Sequence, residues 1–338
     1  MNIGEIARRA NVSRSTVSYA LSGKRPVAEA TRQKIQQVIT ELGYRPNASA
    51  RALANGRTRT LGVVFPPAGP HYTGMQLDFL GSLVEAASAL DHDVLMSSSA
   101  IDSEQSFQRL LGERRVDGAI LMEIRLADDR VEHLTKIGFP FVTIGRTASP
   151  EHTRWVAVDH GALVTACVDH LADLGHRRIA LVNRPDRLLR IGYESAHRGL
   201  AGFQAAMSAR GLTGEHYPCD DDAASGQACV ERILRADPAT TALVTLNEAA
   251  LGGLYRGLAA AGRTVPDDFS ITGVALTHWA ETVTPRLTAA DVPATRLGQL
   301  AVELLVERLA DPTAPPRHHL LAPPISPRAS TGPAPATS

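Results

Sequence analysis

The 338 residues exceed what one hydrophobic core accommodates and imply two or three compact units. A hydrophobic content of 44% with 21% charged residues is that of a globular chain, which excludes disordered and fibrous classes. No charged-then-apolar leader opens the sequence and no apolar run reaches about 18 residues, so neither export nor a membrane span is expected and the location read is cytoplasmic.

The three cysteines, Cys167, Cys219 and Cys229, are odd in number and form no CxxC pair, so they read as filler in a reduced compartment and not as redox or metal groups. The formal net charge of zero hides a division. Residues 1–60 carry eleven Lys or Arg against three Glu, or +8, which leaves 24 basic and 32 acidic residues, or −8, for the remainder. A basic head on an acidic body is the footprint of a nucleic-acid binder.

In chain order, Ile3, Ile6, Ala7 and Ala10 fall at helical spacing and predict a short first helix. Asn11-Val12 makes the turn, because Asn tolerates the positive φ that a tight helix–helix connection needs. Ser13 then caps a second helix from Arg14 to about Leu21, ended by Gly23, with Val17, Ala20 and Leu21 inward and Arg14, Ser15, Ser18 and Tyr19 on or near the other side. A third helix runs from about Glu29 to Leu42, burying Ile35, Val38, Ile39 and Leu42 and stopping at Gly43. This is helix-turn-helix construction, whose second helix enters the major groove. Pro46-Asn47 opens a further short segment, Ala48 to Ala54, closed by Asn55-Gly56.

"VSRSTVSYALSG" and "LGYRPNASARAL", in this order and spacing, resemble the head of lactose-repressor-type (LacI/GalR) regulators. Ala28 departs from that pattern, where a hydroxyl residue often caps the third helix. The resemblance implies base contacts from Arg14, Ser15 and Tyr19, and mainly phosphate contacts from Ser13, Thr16, Ser18, Thr31 and Asn47. It also implies that the segment after Asn47 is a hinge helix that orders on operator DNA in the minor groove. There Leu53 would wedge between base steps, and small Ala50 and Ala54 would permit close approach.

Beyond residue 60, short apolar runs ("LGVVF", "DVLMS", "GAILM", "FVTIG", "WVAV", "RIALVN", "TALVTL", "FSITGVA") alternate with helical stretches. The helices are expected near 79–90, 104–114, 129–137, 162–174, 196–210, 225–235, 248–261 and 296–309. The alternation predicts parallel α/β sheets covered on both faces, arranged as two subdomains with a cleft at the carboxyl ends of the strands. No P-loop, strand-following GxGxxG, Gly-x-Ser-x-Gly elbow or metal-spaced histidine cluster occurs, so no enzyme, cofactor or metal is expected; His318-His319 reads as structural or exposed. An exported solute-binding protein would need a leader where the basic head lies.

"RVDGAILM", "HLADLGHRRIALVN" and "LNEAALGGLYRGLAAAGRTVPDDFSITGVA" are similar to the periplasmic-binding-protein-like sensor domain of the same regulators. The resemblance implies a homodimer that binds operator DNA and a small-molecule effector, a sugar or another polar metabolite. The expected division is a helix-turn-helix domain at 1–46, a hinge helix and linker at 47–59, an effector-binding and dimerisation domain at 60–326, and a disordered tail at 327–338, with no leucine heptad to form a tetramer. The pocket departs from the family pattern, because Gly199 and Ala275 stand where an Arg and an Asp would grip vicinal hydroxyls. Common monosaccharides are therefore expected to bind weakly. The polar and aromatic candidates are Asn247, Glu248, Arg198, His197, Tyr193, Arg146 and Trp279.

Overall fold

The computed structural model describes residues 3–22, 25–43, 57–65, 72–97 and 115–336. The head consists of α1 (Ile3–Ala10), α2 (Arg14–Ser22) and α3 (Glu29–Leu42). Ile6, Ala7, Ala10, Val17, Ile35, Val38 and Ile39 form its buried core, flanked by Val12, Ala20, Leu21 and Leu42. Asn11 takes φ 54°, which closes the α1–α2 turn as the sequence suggested. Ser13 Oγ accepts the Thr16 amide at 3.1 Å and caps α2. Ala28 precedes α3 without a side-chain cap, and Gly43 ends that helix at φ 59°. The expected helix end at Gly23 and the segment 47–56 lie outside the described residues, as does the helix expected at 104–114.

The body contains two sheets of six strands each among the described residues. The first has the order β11-β5-β4-β3-β1-β2 and the second β12-β10-β9-β8-β6-β7. The first is built from β1 (Thr60–Val64), β2 (Asp93–Ser97), β3 (Gly118–Leu121), β4 (Phe141–Ile144), β5 (Trp155–Val158) and β11 (His318–Leu321). The second is built from β6 (Ile179–Asn183), β7 (His216–Pro218), β8 (Ala242–Thr245), β9 (Ser270–Ala275), β10 (Thr288–Asp291) and β12 (Ile325–Ser326). All pairings are parallel except β10–β12. Strands β3, β5, β6, β8 and β9 are buried along their whole length, the burial that continuous apolar runs require when helices cover both faces.

The two lobes are not consecutive halves of the chain. The His160–Asp173 helix leaves β5 of the first sheet and packs on β8, β9 and β10 of the second. The Ala294–Ala310 helix leaves β10 and returns to pack on β3, β4, β5 and the Gly74–Ala89 helix. The chain crosses a third time between β11 and β12. The Gly74–Ala89 helix begins earlier than apolar spacing indicated, because Thr73 and Gln76 form a capping box that starts it. The short helices Asp186–Arg190 and Thr277–Glu281 and the strands β7, β10 and β12 had no distinct signal in the apolar pattern.

The disordered tail expected from 327 onward does not hold for residues 327–336. Ser330 is fully buried; its hydroxyl donates to the Ile271 carbonyl (2.6 Å) and accepts the Thr288 amide (2.8 Å). Arg328 holds both oxygens of Asp291 at 3.0 Å, and the Ala334 amide donates to the Leu174 carbonyl. Composition suggested disorder because the segment has little apolar surface; its order comes from backbone groups and the side chains of Arg328, Ser330 and Thr331, which complete hydrogen bonds with the second sheet. Ser330→Ala should therefore leave the Thr288 amide buried without a partner and cost about 1–3 kcal/mol in urea unfolding. An unchanged midpoint would return the tail to the disordered class.

Candidate functional site

The outward face of α2 follows from the packing of that helix. Val17 is buried and Ala20 and Leu21 lie against the core, which leaves Arg14 and Ser15 exposed and Ser18 and Tyr19 half-buried. Ser13 Oγ lies 2.7 Å from Ser15 Oγ and 2.8 Å from Thr16 Oγ1, so three hydroxyls gather at the start of the helix. The Arg14 guanidinium runs alongside Gly4 of α1, where a Cβ would approach its Nε to 2.9 Å. Arg25 lies over the Tyr19 ring, 5.2 Å from its centroid. Thr31 is half-buried in the first turn of α3. Asn47, Ala50 and Leu53 lie outside the described residues.

In the body, the carboxyl ends of strands from both sheets enclose a cavity of about 100 Å³, enough for a small polar ligand or several waters. Met122 and Glu123 follow β3, Gly145 follows β4, Arg184 follows β6 and Leu246 follows β8, and all five line it. One end of the cavity is closed where the two lobes meet at Tyr193-Glu194. The Glu194 amide donates to the Ile124 carbonyl (3.0 Å), and the Leu126 amide to the Gly192 carbonyl (2.8 Å). Only 3% of Glu194 is exposed, and its Oε1 lies 2.7 Å from Arg198 Nε and 3.9 Å from Arg146 Nε. Burial pushes its pKa up to about 7 against the opposing pull of Arg198 and Arg146.

The lobes also meet at Glu248 and Trp279, which touch the start of the Gly74–Ala89 helix without lining the cavity. Glu248 Oε1 accepts the Met75 amide at 2.7 Å, in the first turn of the Gly74–Ala89 helix, so a carboxylate of the second lobe caps a helix of the first. Trp279 packs on Gly74 so closely that a Cβ there would lie 2.0 Å from its ring. Burial, with the Met75 amide opposing, pushes the Glu248 carboxyl up to about 7.

The seven residues expected at the pocket have separate fates. Tyr193 lines the cavity, and burial beside the Glu123 carboxylate raises its hydroxyl pKa well above the ordinary value. Arg146 and Arg198 hold Glu194, with Arg198 also donating to the Thr147 carbonyl (3.1 Å). Glu248 and Trp279 join the lobes. Asn247 is fully buried and its side chain is consumed: Nδ2 donates to the Cys219 and Asp220 carbonyls, and Oδ1 accepts the Ala250 amide. It holds a turn and has no polar atom left for a ligand. His197 pairs with the Leu189 carbonyl at 2.8 Å and does not line the cavity.

Several polar lining residues escaped the sequence reading, Glu194 and Gln76 among them, and three of these, Glu123, His160 and Arg184, stand at strand ends. Their signal was position, each lying just past the carboxyl end of an apolar strand. His160 is pushed down to about 4 by burial and is neutral at physiological pH. Glu123 adopts φ 54°, a left-handed conformation that a non-glycine residue takes at a cost and that is concentrated at functional sites.

The raised Glu248 carboxyl fixes the sign of a pH effect. Its folded pKa of about 7 lies above the ordinary 4.5, so the native state keeps a proton that the unfolded chain releases. This contribution therefore lowers stability as pH rises from about 4.5 to 7. Glu248→Gln keeps an oxygen for the Met75 amide and removes the titration. In thermal denaturation the variant should match the parent near pH 5 and exceed it at pH 8, by on the order of 1–3 kcal/mol. Parallel pH profiles would contradict the assignment.

Comparison with known proteins extends over nearly the whole chain. Residues 2–47 match the family described as bacterial regulatory proteins, lacI family, and residues 168–331 match the periplasmic binding protein-like domain. Catabolite control protein A of Priestia megaterium is 31% identical over 314 residues, covering 91% of this chain and 92% of that protein. The solved complex of the transcriptional regulator CelR with cellobiose superposes with a TM-score of 0.69 at 26% identity, covering 98% of this chain and 99% of the other. The Lac repressor dimer bound to operator and the anti-inducer ONPF gives a TM-score of 0.85 at 23% identity over 98% and 99% of the two chains, which shows the shared fold. Among the described residues no helix is long and apolar enough to cross a membrane. This chain belongs to the lacI family of bacterial regulatory proteins and is a sequence-specific DNA-binding transcriptional regulator whose operator affinity is set by a small-molecule effector.

Proposed function

We propose that the protein is a cytoplasmic repressor that binds operator DNA as a homodimer and changes its grip when an effector occupies the cavity between the lobes. The observation that carries the reading is the division of α2 into a face packed on the head core and an opposite face of Arg14, Ser15, Ser18 and Tyr19 beside a hydroxyl-rich helix start. A helix so presented fits the major groove, where an arginine fork matches guanine O6 and N7 and hydroxyls reach phosphate or base. In this reading Arg14, Ser15 and Tyr19 address bases, while Ser13, Thr16, Ser18 and Thr31 position the head on phosphates. Asn47, Ala50 and Leu53 keep the hinge roles that the family resemblance implies.

The protein acts by binding, without turnover of the effector. An effector bridging both lobes favours whichever lobe arrangement completes its contacts, and the hinge segment carries that bias to the heads. The operator-bound Lac repressor dimer and the CelR–cellobiose complex support both the homodimer and a carbohydrate effector by likeness of fold. Arg14→Ala should weaken binding to the preferred operator by about 1–3 kcal/mol and relax base preference at the positions it contacts, read by gel shift against a set of operator variants. An equal loss on operator and on random DNA would demote Arg14 to a phosphate contact.

A further inference from the structure

Two of the three cysteines meet in the second lobe. Cys219 follows β7, and Cys229 stands on the Ala223–Ala236 helix, which packs against that strand. Their thiols touch: that of Cys219 is hydrogen-bonded to that of Cys229 and lies 3.5 Å from the Asp220 carbonyl. Nine residues separate the two in sequence, so no CxxC spacing marks the pair; the turn at Asp222, which caps the helix, folds one cysteine onto the other. Both are buried, but beside an exposed side chain. Arg232, one turn beyond Cys229, hydrogen-bonds that thiol and donates to the Pro218 carbonyl at 2.6 Å. Cys167 differs: it lies in the large core, its Sγ donates to the Gly273 carbonyl at 3.6 Å, and burial pushes its pKa up to about 11.

The pair is chemically unequal. The Cys229 thiol is held below its ordinary value by the hydrogen bond from Cys219, against the cost of burial and with the help of the Arg232 guanidinium. The Cys219 thiol is held up by the same hydrogen bond and by burial. One sulfur is thus favoured as the thiolate and the other keeps its proton, which sets a nucleophile beside a resolving thiol.

We propose that Cys219 and Cys229 are a modification site, a dithiol that hydrogen peroxide closes to an intramolecular disulfide. The Cys229 thiolate attacks one peroxide oxygen and the O–O bond breaks. Cys229 becomes a sulfenic acid, and the departing hydroxide takes up the proton that Cys229 had released. Cys219 sulfur then attacks Cys229 sulfur, the S–O bond breaks, and a second water leaves with the Cys219 proton. Two electrons pass from the sulfurs to the peroxide, and a dithiol reductant restores them. In a reduced compartment such a pair rests as thiols and closes transiently, as redox-sensing cysteines do.

Closure reaches the cavity wall. A disulfide holds its sulfurs about 2.05 Å apart, well inside their non-bonded contact. Cys219 is tied through both backbone groups: its amide donates to the Asn183 carbonyl at 3.3 Å, and its carbonyl accepts Asn247 Nδ2 at 2.8 Å. Two residues on, Asp221 faces Arg184 of the cavity wall at 3.4 Å. Drawing Cys219 towards the helix therefore displaces the ends of β6 and β8. The site is independent of the effector's identity.

The test treats the intact protein with a small molar excess of hydrogen peroxide, counts free thiols after denaturation, and maps cross-links by mass spectrometry of the unreduced digest. The count should fall from three to one, with a 219–229 disulfide and Cys167 still free, and return to three with dithiothreitol. Cys167→Ser should go from two thiols to none. Cys219→Ser should form no disulfide, and its Cys229 should instead take up dimedone, a reagent for sulfenic acids. Hydrogen exchange of the oxidised parent should differ from that of the reduced parent at 183–187, 219–222 and 247–250. A count that stays at three, a disulfide that uses Cys167 or joins two chains, or sulfonic acids in place of the cross-link would overturn the site. If a variant does not fold, the digest of the parent decides the matter. A 219–229 disulfide with unchanged exchange at those segments would overturn the link to the cavity wall and leave the modification site standing.

Discussion

The parallel sense of the buried strands is the constraint on which the rest of this structure depends. Strands covered on both faces can be joined in parallel only by crossover helices, so the carboxyl ends of each sheet collect along one edge. Three chain crossings between the sheets hold two such edges face to face, and the cavity is what lies between them. The polar side chains that reach it do so from strand ends, where a backbone leaving the sheet can point a side chain away from the core. Hydrogen bonds at Glu194 and Glu248 join the lobes beside this space, at the expense of burying two carboxylates whose pKa values rise to about 7. Tyr193 and Glu194 belong both to the cavity and to the lobe interface, which is the physical basis proposed for coupling occupancy to lobe arrangement.

The head was legible because its determinants are local. Asn11 at positive φ, Ser13 as cap, Ala28 without one and the inward stripe of α3 each depend on neighbours within a turn or two, and each is found where the sequence places it. The body was legible as alternating strands and helices but not as an assignment of elements to lobes. Nothing in the helix beginning at His160 or in that beginning at Ala294 shows that it departs from one sheet to cover the other. The order of 327–336 was hidden for a related reason: Ser330 and Arg328 acquire their value from Ile271, Thr288 and Asp291, which are distant in sequence.

The site was the least legible part. Asn247 carries the residue type of a ligand contact, yet it is used up by one bond within its own turn, from the Ala250 amide, and by two to the carbonyls of Cys219 and Asp220, which are distant in sequence. Arg146 and Arg198 were sought as ligand contacts and are instead held by Glu194 through a buried ion pair, which no spacing rule foresees. Glu123 and Arg184 follow apolar strands without any motif of their own, and the left-handed backbone that turns Glu123 into the cavity is a tertiary feature.

The central claim is that one cavity, formed by strand ends of both lobes, receives the effector. Hydrogen exchange of the intact protein, with and without a saccharide that raises its Tm, tests this most directly. The account predicts new protection in both lobes together, at 122–126 and 145–147 on one side and at 184–194 and 246–248 on the other. Protection confined to a single lobe, or appearing on the outer helices while these segments stay unchanged, would contradict it.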